Sequence, residues 1–256
     1  MYRLTNVMIN ERSTVTVVGC GGTGGFVAEG LCRLIPQSLR LLLIDCDRLE
    51  ERNLGRSNFT MYDLDLFKSE ALAKRLASRY NRPIAYSTLP VGMVDLPKGL
   101  VIGCVDNGEA RRQIADRLER PSWWIDSGNG KNYGQVLVGN RSDKDNGRYY
   151  FEEGICFWLP LPTIQQPALL NQEPRRRSCD EAVAADEQGP TINQAMAALV
   201  LEFVRRLIEG NCTWMQLYLD LDAGMLHPVM ASPEVVAAVI KKRIKRLVAP
   251  EKGGEK

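Results

Sequence analysis

The glycines at 19, 21, 22 and 24, carried in VTVVGCGGTGG, follow an apolar run, and Asp45 closes a second such run about 20 residues beyond the last of them. Glycine has no Cβ, so a loop of this composition lets backbone N–H groups come close to an anion. At the start of a helix, the macrodipole favours a phosphate there. A carboxylate at the end of the next strand can hold ribose hydroxyls. These residues predict a nucleotide site, with NAD and ATP equally served by Gly19, Gly21, Gly22, Gly24 and Asp45.

The residues that follow carry charges suited to phosphate chemistry. Asp45 and Asp47 form a D-x-D pair, RNLGR brings Asn53 and Arg56, Lys68 opens the next helical pattern, and Asp106 and Asn107 close a third apolar run. Two cations can clamp a triphosphate and a carboxylate can hold magnesium, neither of which NAD requires. Taken singly, Arg56 and Lys68 read as ordinary surface cations, and Asp45 and Asp106 as loop caps. Their ordered occurrence favours the phosphate reading.

Short apolar runs at Val15–Val18, Leu41–Ile44 and Val101–Val105 predict strands covered on both faces. Between and after them, Gly25–Leu34, Lys68–Tyr80 and Glu109–Leu118 have the apolar spacing of helices. The alternation predicts an α/β fold with a doubly wound, mostly parallel, Rossmann-like sheet. WWIDSGNG and GQVLVGN read as further strands about a glycine-rich turn. Residues 141–189 degrade into an irregular crossover loop in which FWLPLPTIQQPALL is expected to be extended. Periodicity returns with a long helix through Ile192, Met196, Leu199, Phe203 and Leu207 to Gly210. WMQLYLDLD then gives a strand, and Pro233–Val248 a terminal amphipathic helix. The expected organisation is one domain over residues 1–256, with a nucleotide-binding core at 14–138 and a helix–strand–helix unit at 190–248.

With 256 residues and 45% apolar content the chain can bury a full core. A net charge of +2 with no long basic stripe, Arg175–Arg177 being too short a run to carry that reading, excludes general nucleic-acid binding. The sequence carries neither a secretory leader nor a membrane-length apolar stretch. Seven cysteines, an odd number without a Cys-x-x-Cys pair, imply a reduced, cytoplasmic chain with no structural zinc. Cys20, Cys32, Cys46 and Cys104 read as packing residues. The single histidine, His227, falls in a loop beside Pro228 with no second ligand near it. Trp123 and Trp124 cannot face the same side of a strand, which makes one a core residue and the other a partner contact.

The order GCGGTG, DCD, RNLGR, Lys68, VDN and GNGKNYGQV resembles the ThiF and MoeB group of adenylating enzymes, whose fold is shared by the E1 activators of ubiquitin-like proteins. The resemblance runs over roughly residues 14–138 and more loosely to the helix after Pro190. It implies that Gly21 and Gly22 approach the phosphates of ATP, that Asp45 holds the ribose, that Asn53, Arg56 and Lys68 line the triphosphate, and that Asp106 binds Mg2+. Asp47 matches the second carboxylate of the family's D-x-D, and Asn107 shapes the loop.

The resemblance also places Cys179, in RRRSCDEA, roughly where relatives carry a reactive cysteine that receives the acyl group. The three arginines before it would depress its pKa, Asp180 and Glu181 would oppose them, and an inert cysteine beside a solvated charge run is the competing reading. Zinc-binding cysteine pairs, an inserted cysteine domain, a ubiquitin-fold tail and a rhodanese extension are absent. The amino-terminal arm is short, with Arg3 or Arg12 the candidates to reach a neighbouring subunit's ATP.

The implied activity is ATP-dependent adenylation of the carboxyl terminus of a ubiquitin-like β-grasp protein, as a homodimer, with an E2-like protein as a further partner. Activation of a small molecule or RNA base, as in related dehydratases, and a non-catalytic scaffold are the alternatives.

Overall fold

The computed structural model describes residues 1–5, 13–140, 149–173, 189 and 191–250. Its first half alternates strand and helix. β1 (Arg3–Leu4) and β2 (Thr14–Val18) lead into α1 (Gly22–Leu34), then β3 (Arg40–Ile44), α2 (Lys68–Tyr80), β4 (Ile84–Ser87), β5 (Gly99–Gly103), α3 (Gly108–Arg117), β6 (Trp123–Asn129) and β7 (Tyr133–Asn140). The second half holds β8 (Phe151–Glu152), β9 (Ile155–Cys156), α4 (Pro162–Gln165), α5 (Ile192–Glu209), β10 (Trp214–Asp220), β11 (Met225–Met230) and α6 (Pro233–Ile240).

An eight-stranded sheet has the order β11-β10-β7-β6-β5-β2-β3-β4. β4, β3, β2, β5 and β6 are mutually parallel, and β7, β10 and β11 extend the sheet in antiparallel fashion. From β2 the chain moves outward through β3 and β4, then crosses to β5 on the other side. The gap beyond the carboxyl ends of β2 and β5 is therefore the switch point of the sheet, where such folds bind ligands. β1, β8 and β9 form a separate small sheet.

Helices cover both faces. Val15, Val17, Leu43 and Ile102 pack with Val27, Leu31, Leu72, Met196, Val200 and Phe203 in the larger core. Val18, Ile44, Val101 and Trp124 pack with Val91, Ile114 and Leu118 in the smaller one. Two covered faces explain why Trp123 and Trp124 are both buried, at 5% and 0% exposure, so neither is the surface contact expected from alternation.

Several boundaries differ from expectation. β5 stops at Gly103, which leaves Val105–Asn107 as a loop. FWLPLPTIQQPALL is not extended throughout: α4 and a 3-10 turn at Pro167–Asn171 each start on a proline, whose fixed φ suits a first helical position. A second strand, β11, separates β10 from the last helix and carries His227 opposite Tyr218, so the histidine is not in a loop. β11 is the sheet edge, the position that tolerates Pro228. The last helix ends at Ile240 rather than Val248, because Lys241 turns left-handed at φ 54°. Continuing it would stack Lys241 over Lys245 and Lys242 over Arg246. The turn instead brings Leu247 beside Phe151, whose N–H donates to Leu247 O at 2.9 Å.

Candidate functional site

The glycines after β2 serve different ends. Gly19 has φ +88°, and a Cβ on it would lie 2.5 Å from Cys104 O. A Cβ on Gly24 would lie 1.8 Å from Gly19 O, so this glycine is needed for the helix to pack against its own loop. Gly22 gives room to Asn193, whose Nδ2 would lie 2.3 Å from a Cβ there. A Cβ on Gly21 would meet nothing within 4 Å, and Gly21 caps α1 without a side-chain hydrogen bond to the first-turn amides. Those amides and the positive end of a 13-residue helix therefore face an open cavity.

At the end of β3, Asp45 Oδ2 accepts from the Cys20 N–H at 2.6 Å and Oδ1 from the Asp47 N–H at 2.8 Å. Burial raises the Asp45 pKa, and nearby Lys68 acts against that rise. Lys68 is the first residue of α2. Its side chain is 12% exposed, and its Nζ lies 3.1 Å from Asp47 Oδ2, which gives Asp47 the role of holding the lysine. Ser69 Oγ, 2.8 Å from Asp45 O and 2.9 Å from Ser87 O, fixes the start of α2 against the ends of β3 and β4.

Asn53 and Arg56 lie on a 3-10 turn, Glu51–Arg56. Asn53 Oδ1 accepts from the Glu50 N–H at 3.1 Å, which leaves its amide N–H groups to offer a ligand. After β5, Asp106 is exposed on a loop, while Asn107 caps α3 by accepting from the Ala110 N–H at 2.8 Å. Asn107 Nδ2 also donates to Asp106 Oδ1 at 3.3 Å.

One cavity of about 640 Å3 gathers Gly19, Gly21, Gly22, Asp45, Asp47, Asn53, Arg56, Lys68, Asp106 and Asn107 on its wall. That volume suits a nucleotide-sized ligand. Gly24 lies behind the wall, and Cys179 and Arg12 fall outside the described residues. Arg3 sits in β1, away from the cavity.

Two polar groups at or behind the wall were not found from the sequence. Asn193, fully buried near the start of α5, donates to Arg56 O at 3.0 Å and accepts from Thr23 Oγ1 at 3.1 Å and Asn129 Nδ2 at 3.2 Å. Arg111 of α3 and Asp126 of β6 form an ion pair with both side chains at 0% exposure; Arg111 Nε lies 3.1 and 3.0 Å from the two carboxylate oxygens. Arg111 Nη1 donates to Gln172 Oε1 at 2.6 Å. Burial raises the Asp126 pKa against the pull of Arg111. The available signals were an Asn on an otherwise apolar helix face and an Asp inside the buried run WWID.

Among the cysteines, Cys20, Cys32 and Cys104 are packed as expected, Cys104 also lining the cavity, but Cys46 is exposed on the cavity wall. The reason is position: Cys104 immediately follows β5 and Cys46 lies two residues beyond β3, both past the carboxyl ends of the strands. Burial, then Asp47 and Asp45, raise the Cys46 pKa, and burial pushes Cys104 to about 12, so both remain thiols near neutrality.

The family model for ThiF matches residues 9–223. The chain belongs to the ThiF family. It is 34% identical over 226 residues to ubiquitin-like modifier-activating enzyme 5 of Bombyx mori, covering 79% of this chain and 53% of that protein. It is 32% identical over 222 residues to the enzyme of the same name from Branchiostoma floridae, covering 78% and 51%. The chain thus spans about half the length of these relatives. Among solved structures, E. coli MccB superposes with TM-score 0.58 at 18% identity, covering 87% of this chain and 64% of that one. PaaA superposes with TM-score 0.59 at 17% identity, covering 86% and 64%. These structural likenesses concern the fold. Among the described residues, no helix is long and apolar enough to cross a membrane.

Proposed function

We propose that this ThiF-family chain binds ATP with Mg2+ and adenylates the terminal carboxylate of a ubiquitin-like β-grasp protein. The observation that supports this most is the convergence of the α1 amides, Arg56, Lys68 and Asp106 on one cavity at the switch point. The 34% identity to a ubiquitin-like modifier-activating enzyme points to the substrate class.

A carboxyl terminus has a pKa of about 3.5 and is ionised at neutral pH, so the reaction needs no general base. What opposes it is repulsion between this carboxylate and the phosphates. In this reading Arg56, Lys68 and the Gly21–Gly22 amides offset that repulsion, Asn53 offers further N–H groups, and Asp45 takes the ribose hydroxyls; their common place on the cavity wall supports it. The carboxylate oxygen attacks the α-phosphorus, the bond from that phosphorus to the bridging oxygen breaks, and pyrophosphate leaves with the electron pair. The product is an acyl-adenylate.

The residues present fit a magnesium ion. Among the described residues there is no cluster of three metal-ligating side chains, and magnesium is commonly held by one or two carboxylates together with substrate phosphates. Asp106, exposed at the cavity, would be that carboxylate. The ion supplies charge neutralisation of the phosphates when bound. Subsequent transfer to Cys179 as a thioester, delivery to an E2-like protein, and assembly as a homodimer complete the proposal.

The test is ATP–pyrophosphate exchange by the purified chain, offered the β-grasp proteins encoded in its own genome. Exchange with one of them is expected, and Asp106→Ala should reduce it by about 100-fold or more. Undiminished exchange in that variant would remove Asp106 from the site. In the same reactions, a reducible covalent adduct that survives Cys179→Ser would remove the thioester step.

A further inference from the structure

The buried pair of Arg111 and Asp126 leaves part of its hydrogen-bonding capacity unused beside the cavity. Arg111 spends Nε on Asp126 and Nη1 on Gln172, but Nη2 is buried with no hydrogen-bond partner among the described residues. Ser127 Oγ, on the next residue of β6, is in the same condition. Arg111 and Ser127 are 0% and 3% exposed, and both line the cavity. Gly128 lies beside them: a Cβ on it would be 3.1 Å from Arg111 Nη2 and 2.7 Å from Gln135 Nε2. Donors therefore flank a position on the β6 part of this wall that lacks a side chain.

We infer that Arg111 Nη2, Ser127 Oγ and Gly128 form a subsite for a main-chain carbonyl of the acyl substrate's tail. The inference rests on the adenylation reading and adds to it where the substrate is held. Orphaned buried donors are costly and uncommon in native proteins, and they identify a place where a further acceptor belongs. Asp126 already neutralises the guanidinium, so the wall offers hydrogen bonds without net positive charge. This suits a neutral amide carbonyl better than a carboxylate or a phosphate. Topology separates it from the nucleoside. Asp45 ends β3, whereas Ser127 and Gly128 lie on β6, three strand positions away across β2 and β5, or roughly 14 Å. With the ribose on the β3 side and the phosphates at the α1 amides between, the substrate tail enters from the β6 side.

Ser127→Ala and Gly128→Ala test this in the full-length chain. Ser127→Ala breaks no hydrogen bond among the described residues and should leave thermal stability unchanged. With the β-grasp protein that supports exchange in the wild type as probe, each variant is expected to raise the KM for that protein about tenfold. The affinity for ATP, titrated separately, should stay within twofold. An unchanged KM for the protein substrate, or a matching loss of ATP affinity, overturns the subsite. If no β-grasp protein supports exchange in the wild type while ATP still binds, the adenylation reading fails first, and the subsite fails with it.

Discussion

Asn193 uses one amide to satisfy three neighbours: its nitrogen serves Arg56 O, and its oxygen serves Thr23 and Asn129. Asn193→Ala removes the donor to Arg56 O and one acceptor each from Thr23 and Asn129, which keep their mutual bond, and it opens a gap beside Gly22. The expected result is a loss of about 1–3 kcal/mol in urea unfolding, together with weaker ATP binding as Arg56 loses its anchor. A variant destabilised to this extent but unchanged in ATP affinity would make the residue a structural bond only. Much of the remaining site was legible. Asp45, Lys68 and Asp106 carry their chemistry in residue type and in their place after a strand or at a helix start, and Arg56 in the RNLGR motif. Asn193 was not legible, because its partner Thr23 lies 170 positions away and nothing local states which residues α5 will meet. Gly24 shows the converse: its motif position suggested a phosphate contact, whereas its lack of a Cβ is used in packing α1 against Gly19.

α5 carries a charge device on its far side. Glu202 is held by hydrogen bonds from Arg205 and Arg206, with Arg205 the stronger influence, and its pKa falls from 4.5 to about 2. A folded pKa below the unfolded one gives stability that is present above pH 4.5 and is lost as pH falls from there toward 2. The Glu202 side chain is 31% exposed, so solvent screening limits the contribution to about 1 kcal/mol. Glu202→Gln should therefore cost about 1 kcal/mol at pH 7, with the deficit closing as pH drops below 4.5 in urea unfolding curves. A deficit constant with pH would assign the loss to packing. At this scale the long periodic elements, α2 and α5, were readable from apolar spacing. β4, β11 and the end of α6 were not, because a short exposed edge strand has little alternation and a left-handed lysine has no sequence signature.

For the whole chain, a ligand that binds only the folded state shifts the unfolding equilibrium by mass action. ATP at about 100 times its Kd should add about 2.7 kcal/mol. For a chain of this size that corresponds to a rise of roughly 5–10 °C in Tm. Lys68→Met should reduce the rise at the same ATP concentration. No shift in the wild type at millimolar ATP would overturn the nucleotide assignment. The doubly wound topology was predictable at this scale, since alternating strand and helix patterns with right-handed connections leave few arrangements. Which polar residues meet across the switch point depended on how the chain closes. That closure constrains the order of events during synthesis. The glycine loop and every residue predicted to touch ATP emerge within the first 107 positions, yet α5, which covers α1 and supplies Asn193 behind Gly22, ends at Glu209. A growing chain therefore displays the nucleotide motif well before α5 is available to pack behind Gly22.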